Sequence, residues 1–486
     1  MAMDRRDFLR RVGAGMSLAA AGPGEARPDI PSHADPPQEG ERMGYVGVDV
    51  DSLPNFCGHE HWGSFAAIGM APEGYRADVE PGAAPTRRAS VWDIALDPYL
   101  GGWVASAGVE AGALARAAGA DDMVSWWRRC PEEAMAALTP CLRAQELTGA
   151  FQCIRRGIVR LHGVDLKTMR VDDWARADEA VGSAYGDVFG WYRKAMKEVR
   201  FSELLRPVQP EFYFAPHTAR AADEATFTRS LLRIDPLLEF WRSDCPRRDR
   251  LAALVQVDPG DAASWRAFIG RLLDACAERA GLGVKQLQAY SRALDFAPRS
   301  DAEVHWRGAL SRAEVVAFQD WVMHECCAQA HERRWTHQVH VGTHNLRQSS
   351  PLPLEALARR YPQMRLVMLH SWPFLEEAGW LLKHVPNVYA DTCWQAALNP
   401  EFLRQTFARW LNYVPANKIM LSHDSTSVEM AVGSSLFTRE ILAQALAHQG
   451  TTLNISEDRL RGLAAGFLHN NAVRVYGVGE PTACAA

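Results

Sequence analysis

From about residue 206 onward, short apolar runs alternate with amphipathic stretches of helical length. The runs fall at 208–215, 230–235, 283–290, 336–342, 365–371, 387–392 and 418–424. Segments such as 262–280, 312–333, 353–361, 374–384 and 400–413 lie between them. An earlier run at 53–57 raises the number of candidate strands to eight. Continuously apolar strands separated by helices indicate a parallel sheet covered on both faces. Eight such units fit closure into a (β/α)8 barrel, an α/β fold. The structural rival is an open doubly wound sheet. No Gly-x-Gly-x-x-Gly follows an early strand, so the usual nucleotide-binding form of that rival loses support.

A barrel takes about 250 residues, and this chain has 486. Part of the surplus lies at 105–205, where apolar and aromatic residues recur at three- and four-residue steps through Met135, Leu138 and Leu142, and again through Val188, Trp191, Ala195 and Val199. We read this stretch as a helical insertion and 65–103, rich in Gly and Pro, as a long loop over one end of the barrel. The barrel then spans 45–478, with a tail at 479–486.

The first residues read as an address rather than as fold. Arg5-Arg6-Asp7-Phe8-Leu9, followed by a small, mildly apolar stretch over 12–22, resembles a twin-arginine export signal. The apolar stretch is about 11 residues, too short for a membrane span of about 20. A basic amphipathic helix is the alternative. We expect the signal to cover 1–26, a linker 27–44, and the mature protein to be periplasmic or otherwise exported, without a membrane anchor. A formal charge of −5 gives no reason to expect nucleic acid as a partner. The ten cysteines show no C-x-x-C pair, which weakens a zinc-ribbon or disulfide-framework reading; most are expected to be small buried apolar residues.

In a barrel the chemistry sits where the C-terminal ends of the strands converge. Strand one leads into His59-Glu60-His61, and alternation lets both imidazoles face one ion. Strand four carries Lys285, strand five His340, strand six His370, and strand eight ends at Asp424. Taken singly, each has a structural explanation. Together they form a ligand set suited to a divalent metal such as Zn²⁺, Mn²⁺ or Fe²⁺, and we expect zinc, as one ion or two. A barrel that only binds a ligand would predict a broken set.

Longer stretches carry a family resemblance. Val284-Lys285-Gln286-Leu287-Gln288-Ala289-Tyr290, Gln338-Val339-His340-Val341-Gly342, and Leu369-His370-Ser371-Trp372-Pro373-Phe374 followed by Pro386-Asn387-Val388-Tyr389-Ala390-Asp391-Thr392 resemble blocks of the amidohydrolase superfamily. The similarity is to the amidohydrolase-2 branch, near domains joined to glutamine synthetases, with uronate isomerases as distant relatives. The resemblance implies that His59, His61 and Asp424 hold a metal and that His340 completes a one-metal site. If Lys285 is carboxylated it bridges two metals, with His340 and His370 on the second; if it stays an ammonium it binds a substrate carboxylate. Three departures stand out: Ser291 separates Tyr290 from Arg292, the Trp372-Pro373-Phe374 step lies one residue closer to His370, and His344 competes with His340, which the spacing of the block favours.

The chemistry expected is hydrolysis of an amide, lactone or ester in a small molecule. A bound Zn²⁺ lowers the pKa of water from about 15.7 to about 7. Asp424 would take the proton and pass it on, and His370 would polarise the carbonyl. Decarboxylation or uronate-isomerase-like chemistry is the alternative; the sequence leaves the oligomeric state open, a homodimer being a common form for such barrels. Trp62, Trp372 and Trp394 either line the mouth or pack beneath loops.

Overall fold

The computed structural model describes residues 48–62, 90–96 and 102–478, all within one unit, Tyr45–Ala486. The expected signal, linker, C-terminal tail and most of the 65–103 loop lie outside the described residues. The strands are β1 (Asn55–Cys57), β2 (Phe201–Val208), β3 (Thr228–Arg233), β4 (Gly283–Gln286), β5 (Thr336–Val341), β6 (Arg365–His370), β7 (Val388–Asp391) and β8 (Ile419–Met420). They pair in parallel in the order β1 to β8. Among the described residues, no helix is long and apolar enough to cross a membrane.

The ring closes through chain that has already left the ladder. Past β8 and β1, Asp424 N donates to His59 O at 3.0 Å and His61 N to Ser425 O at 2.9 Å. Asn55 Nδ2 donates to Leu421 O at 3.0 Å. These bonds lay the His-Glu-His segment beside the segment carrying Asp424. The fold is a (β/α)8 barrel.

The second strand differs from its sequence-based position. β2 occupies Phe201–Val208 rather than 208–215, and the helices before it end at Glu198 rather than near 205. Ser202, Glu203 and Pro207 disguise the strand, since a proline cannot donate to a ladder. Pro210 instead opens the 3₁₀ turn Pro210–Phe214, where its fixed φ suits the first position and its missing N–H goes unused.

Below the mouth, Phe56, Leu205, Leu231, Val367, Leu369 and Met420 fill the barrel interior, joined by Val473 and Tyr476 of the C-terminal helix Asn471–Tyr476. Thr336 Oγ1 and Arg365 Nη1 both donate to Val475 O at 2.9 Å, fixing that helix against the lower rim.

The insertion between β1 and β2 is helical and carries its own aromatic core. Trp92 stacks on Trp174 at 4.5 Å and meets Trp127 edge-on at 5.5 Å. Its helix Gly149–His162 runs against Val428–Leu453 with backbones nearly touching. A Cβ on Gly157 would lie 1.7 Å from Glu429 O, and one on Gly433 would lie 1.7 Å from Cys153 O. The two glycines therefore notch the paired helices reciprocally. Within that seam Glu429 is fully buried, accepting from Tyr185 OH at 2.8 Å, with His162 Nε2 at 3.1 Å. The insertion thereby grips the first turn of the helix that follows Asp424. The nine described cysteines are all free, and seven of them are buried.

Candidate metal centre

Asp424 is the hub of the mouth. Its Oδ1 lies 3.3 Å from His61 Nε2 and 3.6 Å from His59 Nε2, and its Oδ2 lies 3.4 Å from His370 Nε2. All four side chains are buried. Donor atoms of His59, His61 and Asp424 lie within 4.8 Å of one another, as do those of His370, Cys393 and Asp424.

Local backbone geometry produces this convergence. Leu369 points into the barrel interior, so regular alternation would turn His370 outward. Instead His370 and Ser371 take φ of 64° and 62°, and Asp424 takes 56°. Left-handed conformations of this kind cost on the order of 1–3 kcal/mol each in non-glycine residues and cluster where the surrounding structure demands a particular direction. At the end of β5, Gly342 (φ 75°) passes so close to Trp372 O that a Cβ would lie 1.8 Å from it.

Buried groups around the hub hold it in place. Glu60, between the two histidines, turns away from Asp424. Its Oε2 accepts from Ser425 N at 2.7 Å and its Oε1 from Cys57 Sγ at 3.0 Å. Burial pushes the Glu60 carboxyl well above its ordinary pKa. Asp391 accepts from Ser422 Oγ (2.6 Å), Ser422 N and Cys393 N (3.0 Å each), tying β7 to the β8 exit; burial raises its pKa to about 6. His423 faces the other way, 2.9 Å from Asn55 Oδ1 and stacked on Phe201.

The imidazoles are in the neutral form that a cation needs. Burial first, then the charge of Lys285, holds His59 and His61 well below the ordinary histidine range. Burial brings His370 down to about 3. Its Nδ1 lies 3.0 Å from Cys393 O, which can only accept, so Nδ1 carries the hydrogen and Nε2 presents a lone pair. His370 is thus set up as a ligand or proton acceptor. In this tautomer it has no proton on Nε2 with which to polarise a carbonyl.

His340 lies next to this group. Its Nδ1 is 3.1 Å from His370 Nε2 and its Nε2 is 2.7 Å from Thr343 Oγ1, which is in turn 3.0 Å from Nδ1 of exposed His344. His344 is linked by hydrogen bonds to the centre through Thr343 and His340. Lys285 on β4 is 1% exposed and in register with Arg233 on β3. Burial and Arg233 lower its pKa to about 8, against the pull of Asp424. Arg292 turns away to Asp320, 2.7 Å from its Nη2. Trp394 packs on His370 and His344 at 5.5 and 5.6 Å, and Tyr290 on His340 at 4.5 Å. Trp62 is buried against Tyr192 under the insertion, and Trp372 packs on the main core.

Cys393 is a member the sequence reading missed. Its position two residues past Asp391, at the exit of β7, was the available signal.

The donor set fits a divalent cation. Nε2 of His59 is buried without a hydrogen bond, and neutral nitrogens face carboxylate oxygens across gaps of 3.3–3.6 Å. A buried nitrogen left without a hydrogen bond beside a carboxylate oxygen is unfavourable unless a positive charge lies between them.

Comparison with known proteins agrees with this geometry. The sequence pattern of the amidohydrolase family matches residues 206–478, more than half of the chain. The protein fluG of Emericella nidulans is 26% identical over 245 residues, which are 46% of this chain and 28% of that protein. The chain therefore spans well under two thirds of that relative. Among solved structures, the glucuronate isomerase of Caulobacter crescentus has a TM-score of 0.65 at 16% identity, covering 91% of this chain and 94% of that one. The uronate isomerase of Thermotoga maritima has 0.63 at 14%, covering 88% and 95%. At such identities these likenesses concern the fold. With a barrel whose strand ends gather histidines around one aspartate and a family match running from β2 to the C-terminal helix, this chain belongs to the amidohydrolase family.

Proposed function

We propose that the chain is a metal-dependent hydrolase that cleaves an amide, lactone or ester bond in a small molecule. The observation that carries this reading is the convergence of His59, His61 and His370 on the two oxygens of Asp424. His59, His61 and Asp424 would hold the ion, zinc by the nitrogen-and-oxygen character of the set. His370 and Cys393 stand ready for a second, with His340 behind them. When bound, such an ion makes water nucleophilic near neutral pH.

The protein's own groups supply the rest. Asp424 accepts the proton of the attacking water and returns it to the leaving group. His370, with its lone pair toward Asp424, shares that proton traffic. Lys285, buried beside Arg233, is the group we assign to negative charge on the substrate, or to carboxylation if two ions bind. Trp394 and Tyr290 supply flat surface against a ring. Export by the twin-arginine route is part of the same proposal, and the double variant Arg5→Lys/Arg6→Lys should leave the protein in the cytoplasm.

The test is turnover by zinc-loaded protein of lactones, esters and N-acyl compounds, set beside uronates and aromatic carboxylates. Hydrolysis of any of the first group supports the proposal. Turnover confined to the second would replace it with isomerase or decarboxylase chemistry.

A further inference from the structure

We infer that Gln338, anchored by Tyr476 of the C-terminal helix, is a positioning residue that fixes the tautomer of His59 and aims its Nε2 lone pair at Asp424. The functional value of this arrangement rests on the metal-centre reading; the tautomer itself does not.

One atom beside Gln338 has no choice of role. Gly58 O is a backbone carbonyl and can only accept. It lies 2.7 Å from one end of the Gln338 amide, so that end must be the NH₂ group. An amide oxygen there would face another oxygen at 2.7 Å. The same NH₂ donates its second hydrogen to Tyr476 OH at 2.6 Å. Both hydrogens are then committed, and the amide cannot flip.

The other end of the amide is therefore an oxygen. It lies 2.7 Å from His59 Nδ1. An oxygen without hydrogens accepts, so Nδ1 must carry the imidazole hydrogen and Nε2 must be the lone pair. That Nε2 is the buried nitrogen without a hydrogen bond, 3.6 Å from Asp424 Oδ1. The required tautomer is thus dictated by a carbonyl through one intermediary, the Gln338 amide, which Tyr476 OH helps to anchor.

Sequence and fold explain how these groups meet. Gln338 lies two residues before His340 on β5, on the same inward face. In register it pairs with Lys285 on β4. Tyr476 rises from the helix that plugs the lower barrel and stacks on Phe56 of β1 at 5.5 Å. The end of the described chain is thereby wired to the first histidine of the centre. Partners that orient a ligating histidine commonly matter about 10–100-fold in metal affinity.

The test uses the full-length protein, ¹⁵N-labelled at histidine and freed of metal, with His59 assigned by its loss in His59→Gln. Long-range ¹H–¹⁵N correlation should show His59 as the Nδ1–H tautomer. In Gln338→Met, similar in length but without the amide, His59 should move toward Nε2–H or a mixture. Zinc affinity, read by competition with a chromophoric chelator, should fall about 10–100-fold. Tyr476→Phe, which keeps the Gly58 bond, should give a smaller loss in the same direction. The wild-type protein showing Nε2–H at His59 would overturn the proposal without any variant. A folded Gln338→Met that keeps both tautomer and affinity would overturn it as well. Correct tautomers in a wild-type protein that binds no zinc would uphold the positioning role and reject the metal reading.

Discussion

Nε2 of His61 lies 3.3 Å from Oδ1 of Asp424, although the two residues stand near opposite ends of the described chain. The barrel makes that contact by closing β1 onto the exit of β8, and Glu60 locks it by gripping Ser425 N. Disturbing the closure should therefore disturb the centre.

Glu60→Gln tests that link. It keeps the size of the side chain but swaps a carboxylate oxygen for an amide at one of the bonds to Ser425 N and Cys57 Sγ. We expect a loss of about 1–3 kcal/mol in unfolding free energy and weaker metal binding together. Denaturant titration and chelator competition on the same preparations would check this; weaker stability with unchanged metal affinity would separate closure from the centre.

The seam between the insertion and the helix after Asp424 should be equally sensitive. Glu429→Leu would leave Tyr185 OH and His162 buried without their acceptor. We expect destabilisation of about 2–4 kcal/mol. Gly157→Ala should cost about 1–3 kcal/mol, because its Cβ meets Glu429 backbone rather than a movable side chain. Chemical denaturation midpoints decide both; values within about 0.5 kcal/mol of wild type would mean that the helices part easily.

The stability of the barrel should fall in acid in a way traceable to His337. Burial lowers its pKa to about 3, and its Nε2 makes no hydrogen bond. Between an ordinary unfolded value near 6.5 and the folded value, the unfolded chain binds the proton and the folded chain does not. The stability linked to this group is thus fully present above about pH 6.5 and declines as pH falls toward 3, by at most about 1.4 kcal/mol per unit. His337→Phe should narrow the stability gap between pH 7 and pH 5. An unchanged gap would assign the acid sensitivity elsewhere.

Metal removal should also be visible in stability. A ligand at 100 times its Kd stabilises by about 2.7 kcal/mol. Dialysis against a chelator should lower the unfolding temperature by several degrees, and zinc should restore it. Asp424→Asn should show little response to either treatment.

Much of this was legible in the sequence because the relevant signals are local. The apolar runs of β3 to β7 and the polar residues at their ends follow from strand periodicity and barrel geometry. β2 was not legible, since Pro207 and Glu203 break the apolar run that marks a buried strand. The inward turn of His370 depends on a left-handed backbone that its residue type does not announce. The orientation of Gln338 needs Gly58 and Tyr476, which tertiary structure alone brings to it. The lone pair on Nε2 of His370 likewise depends on a carbonyl of β7's exit, Cys393 O, and it displaces the oxyanion role expected from sequence.

The most direct test of the central claim is the zinc stoichiometry of full-length wild-type protein beside that of Asp424→Asn and the double variant His59→Asn/His61→Asn, measured by elemental analysis after reconstitution and gel filtration. A shared centre predicts one or two ions per chain in the wild type and loss of at least one in each variant, with the fold intact by circular dichroism. Equal metal content in all three proteins, or none in the wild type, would contradict it.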